Sequence, residues 1–213
     1  FGGTSVGTIK KIKKVAEIIS DYKKKNYKVI VVSSAMSGVT NELIKKSLEI
    51  SNNFSNSEHD VLVSSGEQVA CSLIAGRLIH KGYNSRSWLS WQVPILTKGL
   101  HKNSRIIQIN KNKIIKYLKE GGIPIITGFQ GINNENRITT IGRGGSDASA
   151  IMIAKFFKAE RCIIYTDVEG VYTTDPNKLN KAKKIKVISY EEMLEMASLG
   201  AKVMQPVSIQ DAR

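Results

Sequence analysis

Short apolar runs rich in β-branched residues predict three buried strands, at residues 29–33, 123–127 and 162–166. Each run is bounded by small or turn-forming residues. Because both faces of such a strand are apolar, we expect cover on both sides, as in a parallel sheet.

Between these runs, apolar residues recur at intervals of three and four, which predicts helices. The predicted helices span residues 8–25, 40–50, 66–80, 110–119, 147–158 and 191–200. Alternating strands and helices are typical of a doubly wound α/β fold. Ligands of this fold bind beyond the carboxyl ends of the strands, so the turns that follow the strands should carry the chemistry.

An antiparallel hairpin is expected in the second half of the chain. Asn133, Asn134 and Asn136 predict a turn between a strand at residues 125–130 and one at residues 138–141. No internal repeat or low-complexity linker is present, and 213 residues suit a single α/β domain.

The composition is that of a globular protein, with 41% hydrophobic and 23% charged residues. No apolar run approaches the roughly 18 to 20 residues of a membrane span, and the first residues do not form a signal segment. Cys71 and Cys162 lie far apart in apolar stretches, as buried thiols do in a reducing compartment. The histidines share no metal-binding spacing. We therefore expect a cytoplasmic protein with no membrane partner and no zinc site.

The net charge of +14 raises the alternative of nucleic-acid binding. Many lysines, however, fall on predicted exposed helix faces and helix ends, among numerous asparagines. That pattern is typical of a solvated surface, so we expect no nucleic-acid partner.

The first glycine-rich cluster contains Gly2, Gly3, Thr4 and Ser5, directly before a predicted helix. Its N–H groups and two hydroxyls suit an anion at a helix N-terminus. A glycine turn capped by Thr4 or Ser5 would have the same pattern. The cluster is not a Walker loop, because no Gly-Lys-Ser/Thr follows at the required spacing.

A second cluster, at residues 33–41, follows the first predicted strand and is crowded with hydroxyl groups. Ser37 or Thr40 alone would explain a helix cap. Four hydroxyls with a glycine exceed that need, which favours ligand contact.

The third cluster, at residues 141–147, joins three glycines to Arg143, Ser146 and Asp147. Arg143 can bind a carboxylate through two parallel hydrogen bonds. Asp147 would either cap the next helix or bind a substrate ammonium. Glycines let a ligand approach the backbone closely, which favours the functional interpretation.

The fourth cluster, at residues 165–176, follows the third predicted strand and resembles the wall of a nucleotide pocket. Tyr172 would cover a purine ring while Thr166 and Asp167 contact the ring or ribose; the alternative is a hydrogen-bonded loop. Glu67 lies at a predicted helix start, where capping alone is the preferred explanation.

Phosphoryl transfer unites these clusters, because it depends on positioning and charge stabilisation and needs no protein nucleophile. Histidine is absent from every glycine cluster, so no Ser-His-Asp arrangement is indicated. We therefore expect a kinase without a covalent intermediate.

In chain order the clusters resemble those of the aspartate kinases of the amino-acid kinase superfamily. The resemblance rests on residues 1–5, 34–41, 65–67, 142–147 and 165–176, joined by residues 128–131 and 193–202. It implies a three-layer αβα sandwich with a mostly parallel central sheet. It also implies transfer of the γ-phosphoryl group of ATP to the side chain of L-aspartate, the first step toward lysine, threonine and methionine.

The resemblance assigns roles residue by residue. Aspartate would contact Ser34, Thr40, Glu67, Phe129, Arg143, Ser146 and Asp147. ATP would contact Thr166, Asp167, Tyr172 and Lys202. The catalytic set would be Gly2, Gly3, Thr4 and Ser5, donating N–H bonds to the phosphoryl group in flight, together with Asp147. Mg²⁺ would bridge the phosphates without a side-chain ligand assigned, and a homodimer is expected by analogy.

Three departures from the family pattern stand out. The family lysine that neutralises transition-state charge would precede Phe1, and without it we expect severe impairment. The position after Asp175 and Pro176 is often arginine in the family and is Asn177 here, so no phosphate contact is assigned to it. By comparison with the family pattern, we expect the last strand of the kinase domain and the ACT domains that often follow it to lie outside residues 1–213. We interpret residues 1–213 as a catalytic domain without its extreme termini, from which feedback inhibition cannot be inferred.

Two alternatives stay open beside an aspartate kinase. One is a glutamate, acetylglutamate or uridylate kinase of the same superfamily, although the loop from Arg143 to Asp147 argues against it. The other is a remnant that binds aspartate or nucleotide without turnover, which the missing lysine favours.

Overall fold

The computed structural model describes residues 1–142, 144–174, 179–199, 204 and 206–212. The helices are α1 (Ile9–Lys24), α2 (Val39–Ile50), α3 (Asn56–His80), α4 (Asn112–Lys119), α5 (Gly145–Phe157), α6 (Tyr190–Ser198) and α7 (Pro206–Ala212). The strands are β1 (Val31–Ser33), β2 (Ser85–Trp88), β3 (Ile95–Leu100), β4 (Asn103–Ile109), β5 (Ile123–Thr127), β6 (Gln130–Ile132), β7 (Ile138–Thr140), β8 (Val171–Tyr172) and β9 (Lys184–Ile185). No helix in these described ranges is long and apolar enough to cross a membrane.

A parallel sheet with the strand order β1-β5-β2 forms the centre of the fold. Every residue of β5 is buried, as expected for a strand with helices on both faces. One apolar cluster packs α1 and α3 against this sheet through Ile19, Ile74 and Ile125. On the opposite face, Ile114 and Ile153 bring α4 and α5 against Ile126. The predicted three-layer αβα sandwich is confirmed.

A second sheet has the order β4-β3-β6-β7 and contains two antiparallel hairpins. The predicted hairpin is confirmed, because β6 and β7 pair antiparallel across a turn at residues 133–137. The predicted single strand at residues 125–130 is wrong. Phe129 has a φ of 66°, which a strand cannot contain, so the chain leaves the first sheet after β5 and enters the second at β6. The β3–β4 hairpin was not predicted.

The strand predicted at residues 162–166 is also wrong. Within the described residues, the one backbone hydrogen bond of this stretch joins the Gly2 N–H to the Tyr165 carbonyl at 2.9 Å. Strand pairing requires a repeated ladder of such bonds. The stretch is nevertheless held in place, because the Phe1 and Tyr165 rings stack with their centroids 4.6 Å apart.

The helix predictions are confirmed except at one boundary. Thr8 caps α1 by accepting a hydrogen bond from the Lys11 N–H, as its position before the periodic run suggests. Helix α3, however, begins ten residues before the predicted start at Gly66. Its first turns bury Asp60 and Ser64 on the core side, so the apolar periodicity that marks a helix is absent there.

The two glycines of α3 provide a matched test of packing. A Cβ on Gly66 would lie 2.8 Å from the Ala35 Cβ, whereas a Cβ on Gly76 would meet no atom within 4 Å. We expect Gly66→Ala to lower the free energy of unfolding by about 1–3 kcal/mol, because the Ala35 Cβ does not belong to a flexible side chain and cannot turn aside. Gly76→Ala should raise it by about 0.5–1 kcal/mol through helix propensity. Urea denaturation of both variants measures the difference, and equal effects would contradict this packing.

Candidate active site

A cavity of about 370 Å³ lies beyond the carboxyl ends of β1 and β5. The predicted site residues that line it are Gly2, Gly3, Ser34, Thr40, Glu67, Phe129, Ser146 and Asp147. They come from segments up to 145 residues apart in sequence, counted from Gly2 to Asp147. The fold thus brings the first three glycine-containing clusters to one place, where an α/β sheet usually binds its ligands.

The N-termini of two helices lie at this cavity. Gly38 precedes α2 and Gly144 precedes α5, both with positive φ, and neither helix has a side-chain cap among the described residues. Capping therefore does not explain Ser37, Thr40 or Asp147. The first N–H groups of a helix lack partners within the helix and attract anions, so both N-termini suit a phosphate or carboxylate group.

Two N–H groups of the first loop are bonded within the described part of the fold and two are not. The Gly2 N–H donates to the Tyr165 carbonyl, and the Ser5 N–H donates to the Gly2 carbonyl. The Ser5 hydroxyl also donates to Tyr165. Among the described residues, the N–H groups of Gly3 and Thr4 have no acceptor. Of the four predicted donors, these two are free to bind a ligand.

Lys11 supports this loop and was not predicted. Its Nζ donates to the Thr4 carbonyl at 2.8 Å. Lys11 lies one helical turn after Thr8, the residue that caps α1, so its side chain points back toward the loop. A lysine in the first turn of a helix that follows a glycine loop was the available signal.

Glu67 presents an unsatisfied carboxylate oxygen to the cavity. It lies inside α3, so the interpretation that it caps a helix start is wrong. Its Oε1 accepts a hydrogen bond from the Ala35 N–H at 3.0 Å, while Oε2 is buried with no partner among the described residues. Burial raises the pKa of Glu67 to about 7. A buried carboxylate with a free oxygen needs a cationic or hydrogen-donating ligand.

The opposite wall consists of the Gly128–Phe129 turn and the first turn of α5. The Phe129 N–H donates to the Ser149 hydroxyl at 3.0 Å, which holds the strained turn in place. A Cβ on Gly145 would lie 2.8 Å from the Phe129 ring, so glycine is required for this contact. Asp147 lies in the same helical turn, and its partial burial raises its pKa. Ser149 was not predicted, because a serine one turn into a helix carries no distinctive pattern.

Of the residues predicted to bind ATP, the three that the structure describes do not line this cavity. Thr166 and Asp167 are exposed, and their side chains hydrogen-bond to each other. Tyr172 lies on β8 and donates to Glu169. Arg143, Lys202 and Asn177 lie outside the described residues. Their roles toward aspartate and ATP stay predictions.

Comparison with known proteins relates the whole chain to one family. Residues 1–213 match the sequence model described as the Amino acid kinase family. The aspartokinase of Rickettsia felis is 51% identical over 213 residues, an alignment that covers 99% of this chain and 53% of that protein. The chain spans about half the length of the curated relatives it matches.

Solved structures agree with this relationship. The aspartate kinase of Synechocystis superposes with a TM-score of 0.87 at 41% identity, covering 100% of this chain and 35% of that one. Aspartokinase III of E. coli, in complex with aspartate and ADP, superposes with a TM-score of 0.86 at 28% identity, covering 100% of this chain and 58% of that one. The resemblance read from the motifs is confirmed at the level of the family and the fold.

Proposed function

Because this chain belongs to the amino acid kinase family, we propose that residues 1–213 form the catalytic domain of an aspartate kinase. It would transfer the γ-phosphoryl group of ATP to the side-chain carboxylate of L-aspartate, giving 4-phospho-L-aspartate and ADP. Its curated relatives named aspartokinase, about half identical to it, support this acceptor. The E. coli relative in complex with aspartate and ADP supports both substrates.

The observation that carries the proposal is the free carboxylate oxygen of Glu67 in a cavity that also receives two uncapped helix N-termini. An amino acid with an acidic side chain has one ammonium and two carboxylates. Glu67 and Asp147 would bind the ammonium, and the N-terminus of α5 would face a carboxylate. Arg143 would add a bidentate contact to the same group.

The remaining acceptor residues would position the reacting carboxylate. Ser34, Thr40 and Ser146 offer hydroxyl groups, and Phe129 closes one side of the cavity. Transfer then needs no protein nucleophile: a carboxylate oxygen of aspartate forms a bond to the γ-phosphorus as the bond to the β-phosphate oxygen breaks. The protein's contribution is to hold the two groups in line.

The phosphoryl group in flight would be stabilised by donors on the first loop. The free N–H groups of Gly3 and Thr4 are the candidates, since preorganised donors aimed at developing charge stabilise a transition state. Gly2 and Ser5 would act by holding the loop in shape. Thr166, Asp167, Tyr172 and Lys202 would contact the nucleotide.

Mg²⁺ fits the oxygen-rich character of the cavity. Mg²⁺ usually keeps several waters and binds substrate phosphates, so no protein carboxylate is assigned to it, and Glu67 and Asp147 stay available to the substrate ammonium. When bound, the ion would neutralise charge on the phosphates. A cytoplasmic homodimer without nucleic-acid or membrane partners completes the proposal.

Hydroxamate formation from L-aspartate, dependent on ATP and Mg²⁺, tests the function. We would assay the chain with one lysine added before Phe1, because the family resemblance implies a lysine there. The Phe1 nitrogen donates to the Val32 carbonyl at 2.8 Å, and the amide of an extended chain can keep that bond. The same chain with an added alanine is the matched control for charge.

We expect product with L-aspartate, little with L-glutamate, and far less from the alanine-extended chain. Product from L-glutamate alone would contradict the acceptor. A folded chain that binds ATP but phosphorylates neither amino acid would contradict the activity.

A further inference from the structure

The carboxylate of Asp60, which belongs to none of the motifs, is fully buried in α3. We propose that Asp60 is a positioning residue that fixes the root of the loop between β7 and α5, and through it the acceptor side of the active site. The inference rests on the proposed function for its kinetic consequences and on the geometry for its structural ones.

Asp60 accepts hydrogen bonds from two separate segments of the second sheet. Its Oδ1 accepts from the Thr140 hydroxyl at 2.6 Å, and its Oδ2 accepts from the Thr140 N–H at 3.0 Å. It also accepts from the Lys102 N–H at 3.1 and 3.2 Å and from His101 Nδ1 at 2.7 Å. One side chain on α3 therefore holds the last residue of β7 and the tip of the β3–β4 hairpin.

Full burial makes these bonds consequential. The Asp60 side chain is 0% exposed, and an ionised carboxylate is costly to bury unless donors surround it. An apolar residue would fill the space without that cost. The five donor contacts replace the lost hydration only in one arrangement of the two segments, so Asp60 specifies their relative position.

The end of β7 and the tip of the β3–β4 hairpin lie on the two sides of the root of the loop between β7 and α5. Thr140 precedes Gly142 by two residues in the chain. A Cβ on Gly142 would lie 2.8 Å from Asn103 Oδ1 and 3.6 Å from the Lys102 carbonyl, so the hairpin tip packs directly on the loop. Beyond the loop, α5 begins and carries Ser146 and Asp147 into the cavity. A shift at Thr140 would therefore reach both acceptor residues.

The same helix also holds, at successive turns, segments that adjoin other lining residues of the cavity. The Gln130 Nε2 donates to the Ser64 carbonyl at 2.9 Å, and Glu67 accepts from the Ala35 N–H. Asp60 is the α3 residue that holds the segment leading into α5. Since Ser146 and Asp147 beyond that segment are proposed to contact the acceptor, the effect should be larger for L-aspartate than for ATP.

The decisive variants are at Thr140, since removal of Asp60 itself can prevent folding. Thr140→Val keeps the shape but removes the hydroxyl that donates to Asp60, and Thr140→Ser keeps the hydroxyl. We expect Thr140→Val to raise the KM for L-aspartate about tenfold, because a hydrogen bond to a charged group is lost, with the KM for ATP changed less than about twofold. Thr140→Ser should restore most of the aspartate KM. Asp60→Asn should resemble Thr140→Val or exceed it.

Glu58→Gln is the matched control, because Glu58 lies on the same helix, is exposed and pairs with Arg137, away from the loop root. It should leave both KM values within about twofold. Equal rises in both KM values for Thr140→Val, or equal behaviour of Thr140→Ser and Thr140→Val, would overturn the inference.

Hydrogen exchange separates this inference from the proposed function. Peptides covering residues 144–149 should exchange faster in Thr140→Val than in wild type or Thr140→Ser, whether or not the chain phosphorylates aspartate. Unchanged exchange would overturn the positioning role even in an active enzyme. Faster exchange in a chain that lacks aspartate kinase activity would support the positioning role and contradict the proposed function alone.

Discussion

The Glu67→Gln variant is expected to raise the KM for L-aspartate on the order of 100-fold while the KM for ATP stays within about twofold. Glutamine can still accept the hydrogen bond from the Ala35 N–H, so the loop after β1 should stay in place. It cannot offer a negative charge to the substrate ammonium. Because the site is buried, the lost ion pair is not replaced by water.

The pH dependence of the same residue gives an independent signature. Burial raises the pKa of Glu67 from 4.5 to about 7, so aspartate binding should strengthen as pH rises through 7 in the wild type. That dependence should be absent in Glu67→Gln. Steady-state KM values between pH 6 and 8 measure it, and Glu58→Gln should keep the wild-type profile. An identical profile in Glu67→Gln would exclude Glu67 as the titrating group.

As pH rises, the stability of the ligand-free protein should fall, whereas aspartate binding should strengthen. Since the unfolded carboxyl ionises near 4.5 and the folded one near 7, the unfolded state holds fewer protons in this interval. Stability that Glu67 contributes below pH 4.5 is therefore lost as pH rises through 7. Above pH 7, Glu67→Gln should be more stable than wild type by on the order of 3 kcal/mol.

The Gly3→Ala variant is expected to lower kcat about 100-fold, since small displacements of positioning groups have effects of this size. A Cβ on Gly3 would lie 2.9 Å from the Ala35 carbonyl oxygen, which is backbone and cannot turn aside. The Gly3 carbonyl also accepts from the Ser37 N–H at 3.1 Å. The loop must therefore move away, and the free N–H groups of Gly3 and Thr4 move with it.

Gly2→Ala is the natural comparison for this variant. A Cβ on Gly2 would lie 3.4 Å from the Tyr165 carbonyl, an ordinary contact distance. Its kcat should fall much less than that of Gly3→Ala. Single-turnover rates, with circular dichroism to confirm folding, would measure both. Similar losses in the two variants would show that the clash with Ala35 is not the cause.

The sequence predicted the location of the site better than the hydrogen bonds that hold the site in place. Residues after β1 and β5 could be assigned to one cavity because parallel strands end at the same edge of a sheet. The supporting contacts, such as those of Asp60 and Ser149, depend on which distant segments meet, and a single buried polar residue carries no periodic signal. Because Asp60 is a buried polar residue, it also interrupts the apolar pattern from which the start of α3 was predicted.

Backbone conformation accounts for the remaining differences. The predicted strand at residues 125–130 is interrupted because Phe129 adopts a positive φ, which a β-rich run of residues does not reveal. The apolar run at residues 162–166 matches a buried strand in composition. Only the three-dimensional structure establishes whether another backbone runs beside such a stretch.

The hydrogen bonds of α3 to three segments around the cavity also determine which parts of the site can move. Hydrogen bonds join α3 to Ala35, Gln130 and Thr140. The segments that carry these three residues should therefore move only when the core itself opens. Helix α2 is different: among its described residues Ser47 alone is buried, while Leu48 and Ile50 face solvent. Substrate entry and product release should therefore depend on motions of α2 and the Gly38 turn, which would carry Thr40 away while the other acceptor residues keep their positions.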